Sequence, residues 1–138
     1  MYLIDTNIIS ESRKNTKANF GVQNFFKTAA KNNTDLFISA ITIGELRRGV
    51  ELIRSRNDIE QASILESWLN TIVEQYSEYI LPFTQDEAQV WGKLRAPHPE
   101  NALDKQIAAT ALVYGLTIVT RNESDFFKTG VKFLNPFS

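Results

Sequence analysis

Asp5, Glu45, Asp104 and Asp125 are the side chains in this sequence whose type and placement can do chemistry, and they can do it only as a group. The chain has no Cys, which removes a disulfide framework, a thiolate zinc site and a Cys nucleophile. Its one His, His98 in "APHPEN", is too few for a multi-histidine metal site and reads as a loop residue, not as part of a Ser-His-Asp scheme. The chemistry therefore rests on carboxylates. Several converging carboxylates repel one another, and a hard divalent cation such as Mg²⁺ or Mn²⁺, which takes oxygen ligands, offsets that repulsion. The reaction suited to such a site is phosphodiester hydrolysis, in which a cation activates water and stabilises charge on the phosphoryl oxygens.

Four short apolar runs rich in branched and aromatic residues read as strands: Tyr2 to Ile4, Leu36 to Ser39, Tyr79 to Pro82 and Leu116 to Thr120, with a weaker fifth in "VKFLN". Stretches of helical spacing lie between them. Val22, Phe25, Phe26 and Ala29 form one stripe, Leu46, Val50 and Ile53 a second, and Ile64, Leu65, Trp68, Leu69 and Ile72 a third. Val90, Trp91 and Leu94 share a face in "DEAQVWGKLR", and "DKQIAATALVYG" is a compact helix stopped at Gly115. Strands alternating with helices predict an α/β fold with a mostly parallel sheet and right-handed crossovers. In such sheets, sites form outside the carboxyl ends of the strands.

The acids share that address. Asp5 ends the first strand, Glu45 lies early in the helix after the second, Asp104 opens the "DKQIAATA" helix, and "TRNESDFF" brings Asn122 and Asp125 past the fourth. Each has a local use of its own. Asp5, Thr6 and Asn7 are good turn and capping residues, and Thr42 with Glu45 has capping-box spacing. Asp104 gains about 0.3 to 1 kcal/mol from a helix dipole, and Asp125 suits a turn. Caps can point anywhere, however, whereas these acids recur at one end of one sheet.

The remaining features bound the answer. At 138 residues, 43% hydrophobic and 22% charged, with no repeat or low-complexity linker, residues 1–138 read as one domain. A net charge of -1 argues against a strong nonspecific grip on nucleic acid, though not against a local basic groove. There is no signal-like N-terminus and no run near the roughly 18 apolar residues of a membrane span, so a soluble, cytoplasmic protein with no membrane contact is expected. Arg47, Arg48, Lys93 and Arg95 read as solvated or paired charges, Arg47 with Glu51. Arg121, beside the acids, is the exception and a candidate for contact with the phosphate backbone of a substrate. Phe25, Phe26, Phe126 and Phe127 read as core packing in preference to base-stacking platforms.

"LIDTNIIS", "SAITIGELRRGVE", "DKQIAATALVYGLTIVTRNESDF" and "FLNPF", in that order over nearly the whole chain, resemble a PIN-domain ribonuclease of the VapC toxin family, found in bacterial toxin-antitoxin pairs. The resemblance implies a three-layer α/β/α fold, Mg²⁺- or Mn²⁺-dependent endoribonuclease activity on an RNA substrate, homodimerisation, and inhibition by a cognate VapB-like antitoxin. Asp5, Glu45 and Asp104 match the family's first three acids and metal ligands. Thr6 and Asn7 match the hydroxyl and amide that support the first acid, and Thr120 a hydroxyl near the metal. For the fourth position, relatives differ between the site of Asn122 and that of Asp125; Asp125 is favoured because Asn122 brings no charge. The two striped helices around Leu46 to Ile53 and Ile64 to Ile72 suggest a groove for an antitoxin helix. Two other functions use the same residues: an RNA- or antitoxin-binding module with little catalysis, and another metal-dependent phosphoesterase or DNA nuclease.

Overall fold

The computed structural model describes residues 1–138. The elements run β1 (Tyr2–Ile4), α1 (Thr6–Ser12), a 3₁₀ turn (Asn15–Lys17), α2 (Phe20–Lys31), β2 (Leu36–Ser39), α3 (Ala40–Ser55), α4 (Ile59–Gln75), β3 (Ile80–Leu81), α5 (Gln85–Arg95), α6 (Ala102–Tyr114), β4 (Thr117–Val119), α7 (Glu123–Phe127) and β5 (Phe133–Leu134). All four strand pairings are parallel, in the order β3-β2-β1-β4-β5. Tyr2 lies opposite Leu36 on one side and Thr117 on the other, so β1 is the central strand. The strand order reverses between β1 and β4, which opens a crevice at their carboxyl ends.

Period-two alternation in the strands explains the layers. Ile4 and Val119 face one core with Ile8, Val22, Ile38, Leu46, Val50, Leu69 and Ile72. Leu3 and Ile118 face the other with Ile107, Ala108, Ala111, Phe126 and Val131. A sheet buried on both faces requires helices on both, and the α/β/α sandwich follows. Ala108, Ala109 and Ala111 let α6 lie close against the sheet, and Gly115 ends that helix at φ 67°, a left-handed conformation that glycine adopts without strain.

Several local expectations shift. Helix α3 starts at Ala40, capped by Ser39, whose Oγ accepts from the Ile41 amide at 3.0 Å. Glu45 therefore stands in the second turn, and Thr42 and Glu45 do not form a capping box. The β-branched run Ile41, Thr42, Ile43 disguises that helix start. On α4 the buried stripe is Ala62, Leu69 and Ile72 with Leu65 and Trp68 beside it, and Ile64 is 54% exposed. On α5 the fully buried side chain is Glu87, which accepts from Thr84 Oγ1 at 2.6 Å, while Val90, Trp91 and Leu94 are half-buried. Phe126 is core and Phe127 is 76% exposed.

Residues 136–138 lie against the start of α2. Asn19 Oδ1 caps the amides of Gly21 and Val22 and also accepts from the Ser138 amide at 3.1 Å. A Cβ on Gly21 would sit 2.0 Å from the Pro136 carbonyl oxygen. Gly21→Ala should gain about 1 kcal/mol in helix propensity and lose about 1 to 3 kcal/mol to that overlap. The expected result is a net loss of stability in urea denaturation; a more stable variant would mean that the 136–138 segment moves aside freely.

Candidate active site

Asp5 is 2% exposed at the carboxyl end of β1, where its own amide donates to the Val119 carbonyl at 2.9 Å and extends the pairing of β1 with β4. Its side chain also caps α1. Oδ1 accepts from the Thr6 amide at 2.8 Å, and Oδ2 accepts from Thr120 Oγ1 at 2.7 Å and Asn7 Nδ2 at 3.2 Å. The capping use and the site use of Asp5 are thus met by the same atoms. Burial nevertheless pushes its carboxyl above the usual range, outweighing the three donors, and the negative charge of Asp125 adds to the rise.

The neighbours of Asp5 tie three chain segments together. Asn7 Oδ1 accepts from the Arg121 amide at 3.1 Å, and Thr120 Oγ1 accepts from the Asn122 amide at 3.0 Å. Thr6 Oγ1 donates to Glu45 Oε1 at 2.8 Å and lies 3.4 Å from the buried Thr42 hydroxyl. Glu45 is half-buried, and its carboxyl is raised by burial and then by the charge of Asp5. Asp104, in the first turn of α6, is pushed up to about 7 by burial, by the charges of Asp5, Asp125 and Glu45, and by a hydrogen bond to Asp125.

The fold thus brings Asp5, Glu45, Asp104 and Asp125 to one sheet edge, with Thr6, Asn7 and Thr120 among them. Asn122 offers its backbone amide to Thr120, while Asp125 supplies the charge felt at Asp5 and Asp104. Arg121 places its guanidinium 4.6 Å from the Phe137 ring centroid, and its charge is felt at Glu11. Arg47 pairs with Glu51 as its spacing predicts, at 3.2 Å, and with Glu66 on α4 at 2.5 Å. Arg95 lies over the Trp91 ring at 4.9 Å and donates to the Pro99 carbonyl. One residue of the site carries no signal in the sequence beyond being a turn former: Asn101, whose Nδ2 donates to Asp125 Oδ1 at 3.2 Å.

The donor set is all oxygen, and three of its carboxyls are raised by burial and mutual repulsion, which is a deficit of positive charge. No three acids stand close enough to enclose an ion directly. That combination fits Mg²⁺ or Mn²⁺ held partly through water, since Mg²⁺ usually keeps several waters. A groove of about 420 Å³ leads away from Thr6 and Glu45, lined by Leu46, Val50, Leu65 and Trp68, with Arg13 at its rim.

Residues 2–132 match the PIN domain family. The toxin FitB of Neisseria gonorrhoeae (strain ATCC 700825 / FA 1090) is 33% identical over 142 residues, covering 99% of each chain. The VapC ribonuclease Y4jK of Sinorhizobium fredii (strain NBRC 101917 / NGR234) is 29% identical, covering 99% of this chain and 98% of its own. Among solved structures, FitAB bound to an IR36 DNA fragment superposes with a TM-score of 0.85 at 30% identity, covering 100% of this chain and 96% of the other.

A carboxyl whose folded pKa is raised binds its proton more tightly folded than unfolded. The stability this gives is fully present below the ordinary value of 3.8 and is lost as pH rises through about 7. Without divalent cations, the melting temperature should fall over that window, in the same direction for Asp5, Glu45 and Asp104. Asp104→Asn should flatten much of the slope, and Mg²⁺ should restore stability at neutral pH. A flat profile in the unsubstituted chain would mean that the acids do not crowd one another.

Proposed function

Because the chain belongs to the PIN-domain family, we propose that it is the toxin of a toxin-antitoxin pair, an Mg²⁺- or Mn²⁺-dependent endoribonuclease of the cytoplasm. The observation that carries this reading is the convergence of Asp5, Glu45, Asp104 and Asp125 on the carboxyl edge of the sheet, with Asp104 pushed up to about 7 by burial and by the charges of its neighbours. The names of the similar proteins, a toxin and a VapC ribonuclease, support it.

Asp5 and Asp104 would hold the cation, with Glu45 and Asp125 beside them at the same edge. When bound, the cation supplies water activation and neutralises charge developing on the phosphoryl oxygens. The rest is the work of the chain. Thr6, Asn7 and Thr120 fix Asp5 so that its orientation is set before substrate arrives. Glu45, steadied by the Thr6 hydroxyl, would orient the attacking water for in-line displacement at the scissile phosphate; that water's proton passes to solvent while a second water protonates the leaving oxygen. Arg121, exposed at the same edge, binds the RNA backbone.

The groove beside Thr6 and Glu45 takes the cognate antitoxin. Its apolar floor suits one face of an amphipathic segment, and an occupant there lies against the acids and blocks substrate. The chain acts as a homodimer, a property carried by the family likeness.

Purified protein incubated with a mixed RNA pool in Mg²⁺, Mn²⁺ or EDTA tests the activity. Cleavage should require the metal, spare DNA of the same sequence, and fall at least about 100-fold in Asp5→Asn and Asp104→Asn, as several kcal/mol of lost charge stabilisation implies. RNA retained but uncut would make the chain a binding module, and full activity in Asp5→Asn would remove Asp5 from the centre. Arg121→Gln should weaken RNA binding and lower the salt slope by about 0.7 for each phosphate that is no longer neutralised; an unchanged slope returns Arg121 to the solvated surface.

A further inference from the structure

Asn101 occupies the N-cap of α6, where an Asn ordinarily turns its side-chain oxygen onto the first free amides of the helix. Here it makes no such bond. It stands instead in the left-handed region, at φ 54° and ψ 52°, and its Nδ2 reaches Asp125 Oδ1, 24 residues along the chain. Helix α6 forgoes a cap, and the amide is spent on an acid.

The approach to Asn101 is tied down from several sides. Arg95 donates to the Pro99 carbonyl at 3.3 Å, and Trp91 Nε1 donates to the Ala102 carbonyl at 3.0 Å. Lys105, which follows Asp104 directly, is 4% exposed and donates its ammonium to the Glu100 carbonyl. Asn101 sits among them with its own carbonyl accepting from the Lys105 amide at 3.0 Å, so the backbone on both sides of its side chain is fixed. Helix α7, which carries Asp125, is a single short turn of Glu123–Phe127. It presents only Phe126 to the core.

We propose that Asn101 is a positioning residue that holds Asp125 at the acidic edge, and that the 96–101 loop is shaped to deliver its amide. This role rests on the nuclease reading given above. An uncharged donor is what the place requires. A Lys or Arg there would orient Asp125 equally well but would cancel the charge that a divalent cation needs. Lys105, which adjoins Asp104 in the chain, is turned onto the Glu100 backbone. Two of the other acids follow the same rule: an amide, a carboxamide and a hydroxyl hold Asp5, and a hydroxyl holds Glu45.

Asn101→Gly separates the side chain from the backbone, because glycine keeps a positive φ without strain while deleting the amide. Mn²⁺ affinity, read by electron paramagnetic resonance of the free ion, should weaken about tenfold, with RNA cleavage falling by a similar factor, as loss of a partner behind a metal ligand typically does. In an Asp125→Ala background, Asn101→Gly should cost nothing further, since the residue it acts through is gone. Wild-type Mn²⁺ affinity in Asn101→Gly overturns the proposal, as does an equal loss in both backgrounds, which would make Asn101 a loop residue only. If the unsubstituted chain neither binds Mn²⁺ nor cuts RNA, the nuclease reading fails and takes this role with it. If it does both and Asn101→Gly is unchanged, Asn101 alone is removed.

Discussion

A carboxylate that is 2% exposed and held by three uncharged donors is the constraint on which the rest of this structure turns. Burying an ionised group without a counter-charge is costly, and hydrogen bonds from an amide, a carboxamide and a hydroxyl offset only part of that cost. The raised carboxyl of Asp5 is the residue of the imbalance. A Lys or Arg in the same pocket would have removed it and stabilised the fold. The chain instead leaves the deficit in place and surrounds it with three further acids, which is destabilising for the protein by itself.

The sheet makes this arrangement attainable. Because β1 is central, the residue that follows it has β2 on one side and β4 on the other, and the segments leaving all three strands meet at one edge. Asp5 comes from the end of β1, Glu45 from the helix after β2, and Thr120 and Asp125 from the chain after β4. Asp104 enters from the first turn of α6, the helix that leads into β4. The double-sided core fixes the strands beneath them: Leu3 and Ile4 point into opposite layers, so a one-residue slip of β1 would exchange the faces and carry Asp5 out of register.

Most of this was legible from residue patterns. Branched apolar runs marked the inner strands because a strand buried on both faces has no polar alternation to blur it, while β5, at the sheet's edge with Leu134 38% exposed, gave the weaker signal. The acids stood out because each falls where a parallel sheet has its crevice. What stayed hidden depended on tertiary contacts. Ile41, Thr42 and Ile43 look like strand, yet Ser39 caps a helix ahead of them and Thr42 is buried beside the Thr6 hydroxyl. Ile64 fits a helical stripe but lies off its axis, which Ala62, Leu69 and Ile72 define once α4 is docked on α3. Phe126 and Phe127 are indistinguishable as letters; only the direction of one short helix separates core from solvent. Asn101 reads as an ordinary turn former because its partner is distant in the chain.

The pairing of β1 with both β2 and β4 also sets the order in which the molecule is built. The hydroxyl that holds the first acid lies 115 residues further along the chain, at the end of the strand that flanks it. Parallel pairings between such distant segments form late, because the loop between them must first be closed. Until that pairing forms, Asp5 and Glu45 have no common edge on which to meet the other acids. The edge that gathers them exists only once β4 has paired with β1.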